Sequence, residues 1–145
     1  MWFLDTGYLI ALFSEKDTYH RKALDLRALA QSSGRALVTT DAVLFEIGAA
    51  FSRVAFRSLG AQLIETLQTD PLIEIVALTT DSKRQALALF ADRPDKDWSL
   101  CDCLSFVVMQ ERGMREALTP DHHFTQAGFS ALLLRDSLEL ESNRI

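Results

Sequence analysis

Short blocks of consecutive apolar residues alternate along this chain with longer stretches in which apolar positions recur every three or four residues. Trp2-Phe3-Leu4 is the first block and ends at Asp5 and Gly7, while Ala36-Leu37-Val38-Thr39 is the second and ends at Thr40-Asp41. Ile73 to Leu78 and Ala117-Leu118-Thr119 repeat the arrangement, and Ala131 to Leu134 supplies a last block. Runs this short and this apolar read as buried strands. Between them the period is helical: Leu44, Ile47, Phe51 and Val54 mark one predicted helix, and Leu104, Val107 and Val108 another, which Gly113 stops after Glu111-Arg112. Strands separated by helices imply a parallel sheet covered on both faces, because parallel neighbours need crossover connections. The expected fold class is α/β, three layers deep, around a central parallel sheet of four to five strands. Pro71, Pro94 and Pro120 punctuate elements without separating domains, and there is no repeat or low-complexity tract, so residues 1–145 are expected to form one domain.

In such sheets ligands gather at the carboxyl ends of the strands, which decides the acids to consider. Asp5 closes the first strand, and Asp121 follows the fourth by way of Thr119. Asp41 follows the second strand, with Glu46 five residues further along the helix it opens. Asp102 stands on the helix ahead of the fourth strand, three residues after Ser99, with Asp95 and Asp97 in the preceding loop. Each acid also has a purely structural explanation. Thr40-Asp41 is what a helix N-terminus prefers, so Asp41 is assigned to capping. Ser99-Leu100-Cys101-Asp102 resembles a capping box, which makes Asp102 by itself as readily structural as functional. Asp5 interrupts an apolar strand where Thr6-Gly7 begins a turn, and a cap for the segment starting at Tyr8 is its alternative role. Glu46 lies between Val43 and Ala50 on an apolar flank of its helix, where a charge needs a partner; a metal ion and Arg53 rank equally.

The set is more telling than its members. Four carboxylates drawn into one place repel one another unless cations neutralise them. Oxygen ligands select hard ions, Mg²⁺ or Mn²⁺, over zinc. Paired ions of this kind activate a water and stabilise the leaving oxygen of a phosphodiester, which points to a metal-dependent nuclease or phosphatase.

Composition changes this picture in two respects. The formal net charge is −5, the wrong sign for a polyphosphate binder. The charges are unevenly spread, however: Arg21, Lys22, Arg27 and Arg35 form one basic segment and Arg53 with Arg57 another, while Asp136, Glu139 and Glu141 concentrate acid near the end. Second, Cys101 and Cys103 are two apart on a predicted helix, where their side chains diverge, so no disulfide is expected between them. An acid at position 5 argues against a secretory leader, and no stretch reaches the roughly 18 apolar residues that a membrane span requires. The expected location is the reducing cytoplasm, away from membranes.

The order and spacing of four short motifs resemble the PIN domains, in particular the VapC-like toxin ribonucleases, over essentially the whole chain. Phe3-Leu4-Asp5-Thr6-Gly7 is similar to the family's first-strand Asp followed by Thr or Ser, and Val43-Leu44-Phe45-Glu46-Ile47 to its helix-borne Glu. Asp97-Trp98-Ser99-Leu100-Cys101-Asp102-Cys103 resembles its acid loop, and Leu118-Thr119-Pro120-Asp121-His122-His123-Phe124 its Thr-x-Asp-x-x-Phe ending. The resemblance implies that Asp5, Glu46, Asp102 and Asp121 are catalytic and bind metal, with Asp97 as a fifth metal-binding contributor that spacing does not separate from Asp95. It implies that Thr6, Ser99 and Thr119 orient carboxylates or water. It further implies endoribonucleolytic cleavage with Mg²⁺ or Mn²⁺, leaving a 5′-phosphate and a 3′-hydroxyl, a homodimer, and inhibition by a small antitoxin protein.

Other residues are assigned to plainer roles. His122 and His123 beside Asp121 could shuttle protons or ligate a metal, but they are expected at a helix start, facing solvent or bonding a backbone carbonyl, outside the core site. Cys101 and Cys103 are expected to pack a helix. Arg84, Arg93 and Lys96 could grip phosphate near the acid loop, but Asp81, Asp92 and Asp95 balance them as a solvated face, and Tyr8, Leu9, Phe13 and Phe56 are assigned to the core ahead of an apolar partner surface. Two other functions compete. A phosphotransfer domain would want paired acids near the first strand and a downstream strand-end Lys, both absent here. A catalytically silent PIN-like module that binds RNA or protein should have lost acids that this chain retains.

Overall fold

The computed structural model describes residues 1–136, so Glu139 and Glu141 lie outside the described residues. The chain runs β1 (Trp2–Leu4), α1 (Thr6–Phe13), α2 (His20–Ser32), β2 (Leu37–Thr40), α3 (Asp41–Ala50), α4 (Val54–Thr69), β3 (Ile73–Val76), α5 (Thr80–Asp92), α6 (Leu100–Glu111), β4 (Glu116–Leu118), α7 (His122–Gln126) and β5 (Ser130–Ala131), followed by a 3-10 turn over Leu132–Leu134. The five strands form one sheet in the order β3-β2-β1-β4-β5, and every pairing is parallel. Helices flank it. Because crossovers between parallel strands are right-handed, the two moving from β1 towards β3 and the two moving back towards β5 cover opposite faces. The helix contacts follow this division, α1 on α2 and α3 on α4, then α5 on α6 and α6 on α7.

The central strand β1 is buried throughout, as are Val38, Ala117 and Leu118 beside it. On the β4 side Phe106 sets its ring edge-on to both Trp98 and Phe124, 5.0 Å from each centroid, and Phe3 completes the group. These aromatic anchors interleave with the acids: Trp98 follows Asp97, and Phe124 follows Asp121-His122-His123. Burying four such rings contributes on the order of 1.5–3 kcal/mol apiece, and fixes the backbone of both acid-bearing segments.

Four expectations need correction. The apolar period from Leu44 to Val54 spans two helices, because α3 ends at Phe51, whose backbone N–H closes on the Ile47 carbonyl; Val54 opens α4 with 94% of its surface exposed. The break lets α4 pack closely on this turn at Gly60. The third strand stops at Val76, and the Leu78 N–H instead donates to Asp41 Oδ2. The last block is a strand only at its first residue, after which the leucines turn and the Leu133 N–H bonds the Thr119 carbonyl. Tyr8 and Leu9 join the core, whereas Phe13 and Phe56 stay about half exposed, being on the outer sides of α1 and α4. Both cysteines are free thiols, with Cys103 in the core.

Candidate functional site

In a sheet ordered 3-2-1-4-5 the chain leaves β1 in one direction and later returns to β4 on its other side. The connections therefore diverge between β1 and β4, and a cleft opens at the carboxyl ends of these two strands. Asp5 lies one residue beyond β1, with its N–H bonded to the Leu118 carbonyl of β4. A cleft of about 420 Å³ opens there, lined by Asp5, Thr6, Glu46, Asp97, Ser99, Asp102, Asp121 and His123, together with Gly7 and Pro120. Acids from four distant chain segments thus face one space. Thr119, the remaining residue singled out in the sequence, lies buried beneath it. Asp95 is held away by a two-bond pairing with Arg93 and a contact to Lys96, while Asp97 lines the cleft. Arg84 pairs with Asp81, so the mixed-charge face is solvated as expected.

Hydrogen bonds run through the cluster. The Thr6 hydroxyl donates to Glu46 Oε2 at 2.8 Å, so the half-buried Glu46 rests on a hydroxyl from α1 where Arg53 was the alternative. The Thr119 hydroxyl donates to Asp5 Oδ2 at 2.7 Å and accepts the Asp121 N–H at 3.0 Å. Asp5 occupies the cap position of α1 yet makes no capping bond, so its carboxylate serves the cleft. Asp121 caps α7 by accepting the His123 N–H at 2.8 Å. Ser99 and Asp102 form a reciprocal capping box, with the Ser99 N–H on Asp102 Oδ2 at 2.9 Å and the Asp102 N–H on the Ser99 hydroxyl at 3.0 Å. Asp102 is both a helix cap and a wall of the cleft. At Asp41 the cap proper is Thr40, whose hydroxyl accepts the Val43 N–H, and Asp41 occupies the first turn.

The cluster bears the mark of crowded negative charge. Burial pushes the Asp5 carboxyl up to about 6, with Glu46 and Asp102 adding repulsion, against the Thr119 hydroxyl and the Thr6 N–H, which favour the ion. Burial, then Glu46 and Asp5, also hold the Cys101 thiol well above its ordinary range, so it remains a protonated thiol beside the acids. Among the described residues the ring nitrogens beside Asp102 and Asp121 belong to histidines. His122 fits the solvent-facing expectation, with 70% of its side chain exposed. His123 does not: its Nδ1 lies 3.1 Å from Asp102 Oδ2 and 3.3 Å from Asp121 Oδ2. Its placement is a correction to the sequence reading, and its cause is tertiary, since Asp102 belongs to another helix. Asp121, His122 and His123 also offer ligand atoms within 4.8 Å of one another.

The carboxylate oxygens of Asp5, Glu46, Asp97, Asp102 and Asp121 on one cleft, with a buried carboxyl that resists ionisation, suit a hard divalent cation, so these residues fit Mg²⁺ or Mn²⁺. The comparisons with known proteins agree with the topology. A model of the PIN domain family matches residues 2–130. The chain is 29% identical over 130 residues to the 23S rRNA-specific endonuclease VapC20 of Mycobacterium tuberculosis, in strain CDC 1551 / Oshkosh as in strain H37Rv, covering 89% of this chain and 95% of that protein. The crystal structure of Mycobacterium tuberculosis VapC20, described as a Sarcin-Ricin loop cleaving toxin, superposes with a TM-score of 0.79 at 26% identity, over 89% of this chain and 96% of that one. With the sheet order, the cleft and a match spanning nearly the whole chain in agreement, this protein belongs to the PIN domain family.

Proposed function

We propose that this chain is a metal-dependent endoribonuclease, the toxin of a type II toxin-antitoxin pair. The observation that carries the proposal is the convergence of Asp5, Glu46, Asp102 and Asp121, with Asp97 at the rim, on one cleft at the switch point of the sheet. These carboxylates would hold Mg²⁺ or Mn²⁺. Such ions, when bound, supply an acidified water and neutralise charge on the phosphodiester oxygens. The chain's own contribution is orientation. Thr6 steadies Glu46, Thr119 couples Asp5 to the Asp121 backbone, and Ser99 fixes Asp102. Groups locked in this way need little reorganisation as the reaction proceeds. RNA is favoured over a small phosphate ester because the likeness to a 23S rRNA-specific endonuclease covers almost the entire chain. The same kinship supports a cytoplasmic protein of one domain, forming a homodimer and neutralised by an antitoxin. No helix among the described residues is long and apolar enough to cross a membrane.

The test is cleavage of intact 23S rRNA, the first substrate to try, and of an unrelated RNA by the purified protein with Mn²⁺, with Mg²⁺ and with EDTA. Asp121→Asn should lower cleavage by 100-fold or more while leaving the circular dichroism spectrum unchanged. Undiminished cleavage by the folded variant, or equal cleavage in EDTA, would defeat the proposal. A silent binding module is disfavoured because every acid of the set is present and faces the cleft.

A further inference from the structure

Among the described residues, His123 places a ring nitrogen beside the carboxylates of two separate elements of the cleft, and orienting the RNA-cleaving acids through Thr6, Thr119 and Ser99 leaves it without a role. Its backbone N–H holds Asp121 Oδ1 at 2.8 Å, while its ring Nδ1 approaches Asp121 Oδ2 at 3.3 Å and Asp102 Oδ2 at 3.1 Å. The ring is 18% exposed and the Asp102 side chain 13%. The Nδ1 nitrogen faces carboxylate oxygens on both sides, which are acceptors that an N–H at this position satisfies. One N–H then spans both groups, with the shorter contact to Asp102. The contacts also fall on particular atoms: Asp102 Oδ2 already accepts the Ser99 N–H at 2.9 Å, and the ring adds a second donor to the same oxygen. His123 brings a donor near each oxygen of Asp121, and the exposed His122 Nδ1 lies 3.7 Å from Oδ1. The ring is held in place from its own segment, since the next residue, Phe124, is fully buried against Phe106 and Phe3.

We propose that His123 is a positioning residue for the metal-binding carboxylates, tying Asp102 on α6 to Asp121 at the start of α7 and directing Asp102 to present its other oxygen to the ion. The inference rests on the metal-binding reading of the cleft. The imidazole is a strut between ligands and itself makes no bond to the metal. Groups that orient metal ligands in this way are worth about 10- to 100-fold in affinity. The part used is a short N–H donor at the Nδ1 position, and the side-chain amide of Asn can supply one from nearly the same place, whereas Ala cannot.

The experiment is Mn²⁺ titration of the RNA-free full chain, followed by the free-ion EPR signal and by calorimetry, for wild type, His123→Ala, His123→Asn and Asp121→Asn, alongside kcat and KM for RNA cleavage. His123→Ala should bind Mn²⁺ about 10- to 100-fold more weakly and lose kcat with little change in KM. His123→Asn should recover affinity to within a few-fold of wild type. Wild-type affinity in His123→Ala, an Asn variant as weak as the Ala one, or a directly bonded ¹⁴N coupling in the pulsed EPR of the wild-type Mn²⁺ complex would each overturn the proposal. Asp121→Asn separates the two levels: if it binds Mn²⁺ like wild type, the metal-binding reading fails and the strut falls with it, and if it loses the ion while His123→Ala keeps it, only the strut is refuted.

Discussion

Replacing Asp5 by Asn should stabilise the metal-free protein although it removes a carboxylate from the centre of the cleft. In the folded chain the Asp5 carboxyl is raised from 3.8 to about 6, burial being the largest cause. A group of this kind binds its proton more tightly when folded than when unfolded, so stability falls as pH rises between the two values. The penalty is nearly absent below about pH 4 and complete above about pH 6. Two units at 1.36 kcal/mol each give about 3 kcal/mol near pH 8, and the same linkage leaves less than about 1 kcal/mol at pH 4. Asn is close in shape to the protonated acid and keeps an oxygen to accept the Thr119 hydroxyl, so it escapes most of this penalty. Trp2 and Trp98 are 4% and 6% exposed, which makes tryptophan fluorescence a direct reporter of urea unfolding. In EDTA the variant should exceed wild type by up to about 3 kcal/mol at pH 8, and the difference should shrink below about 1 kcal/mol at pH 4. Mn²⁺ at a hundred times its dissociation constant should then raise wild type alone, by about 2.7 kcal/mol, and close most of the gap. A variant less stable than wild type at pH 8 in EDTA, or a gain that persists unchanged at pH 4, would refute the account of Asp5 as a buried, repelled charge.

Two further outcomes follow from close approaches of backbone. A Cβ on Gly7 would meet Pro120 Cδ at 2.8 Å and Cγ at 3.0 Å, and Pro120 joins Thr119 to Asp121, so Gly7→Ala should displace the Asp121 segment by tenths of an ångström and lower kcat by roughly 10- to 100-fold; an unchanged kcat with Mn²⁺ would show that the segment yields without moving the acid. A Cβ on Gly60 would stand 2.6 Å from the Phe51 Cβ, so Gly60→Ala should destabilise by about 1–3 kcal/mol of overpacking against about 1 kcal/mol of helix propensity gained; thermal denaturation showing a higher midpoint would reverse that ranking.

The alternation of apolar blocks and helical periods was enough to establish a parallel α/β sheet, because a strand buried on both faces must be apolar at successive positions whatever its neighbours are. The Ser99 capping box was legible for a similar reason, since a cap is satisfied within three residues of itself, and so was the helix start at Thr40-Asp41, although the cap there is Thr40 and not Asp41. Position at strand ends and on an apolar helix flank brought Asp5, Glu46, Asp102 and Asp121 into consideration, and their assignment as one metal-binding set came from the resemblance to the PIN domains. What the sequence could not give was the partner of each. Glu46 had Arg53 seven residues away as a plausible counter-ion, and finds the Thr6 hydroxyl 40 positions distant. His123 looked like a solvated helix start, and only the packing of α7 beside α6 brings Asp102, 21 positions back, to its ring. Asp95 and Asp97 were equivalent until Arg93 turned back on Asp95. Likewise the helical period carried Leu44 through Val54 as one helix, though the chain breaks at Phe51 to let α4 fold against it. Local free energy, in burial pattern and capping, is written in neighbouring residues; the pairing of charges across the cleft depends on strand order, which no single segment encodes.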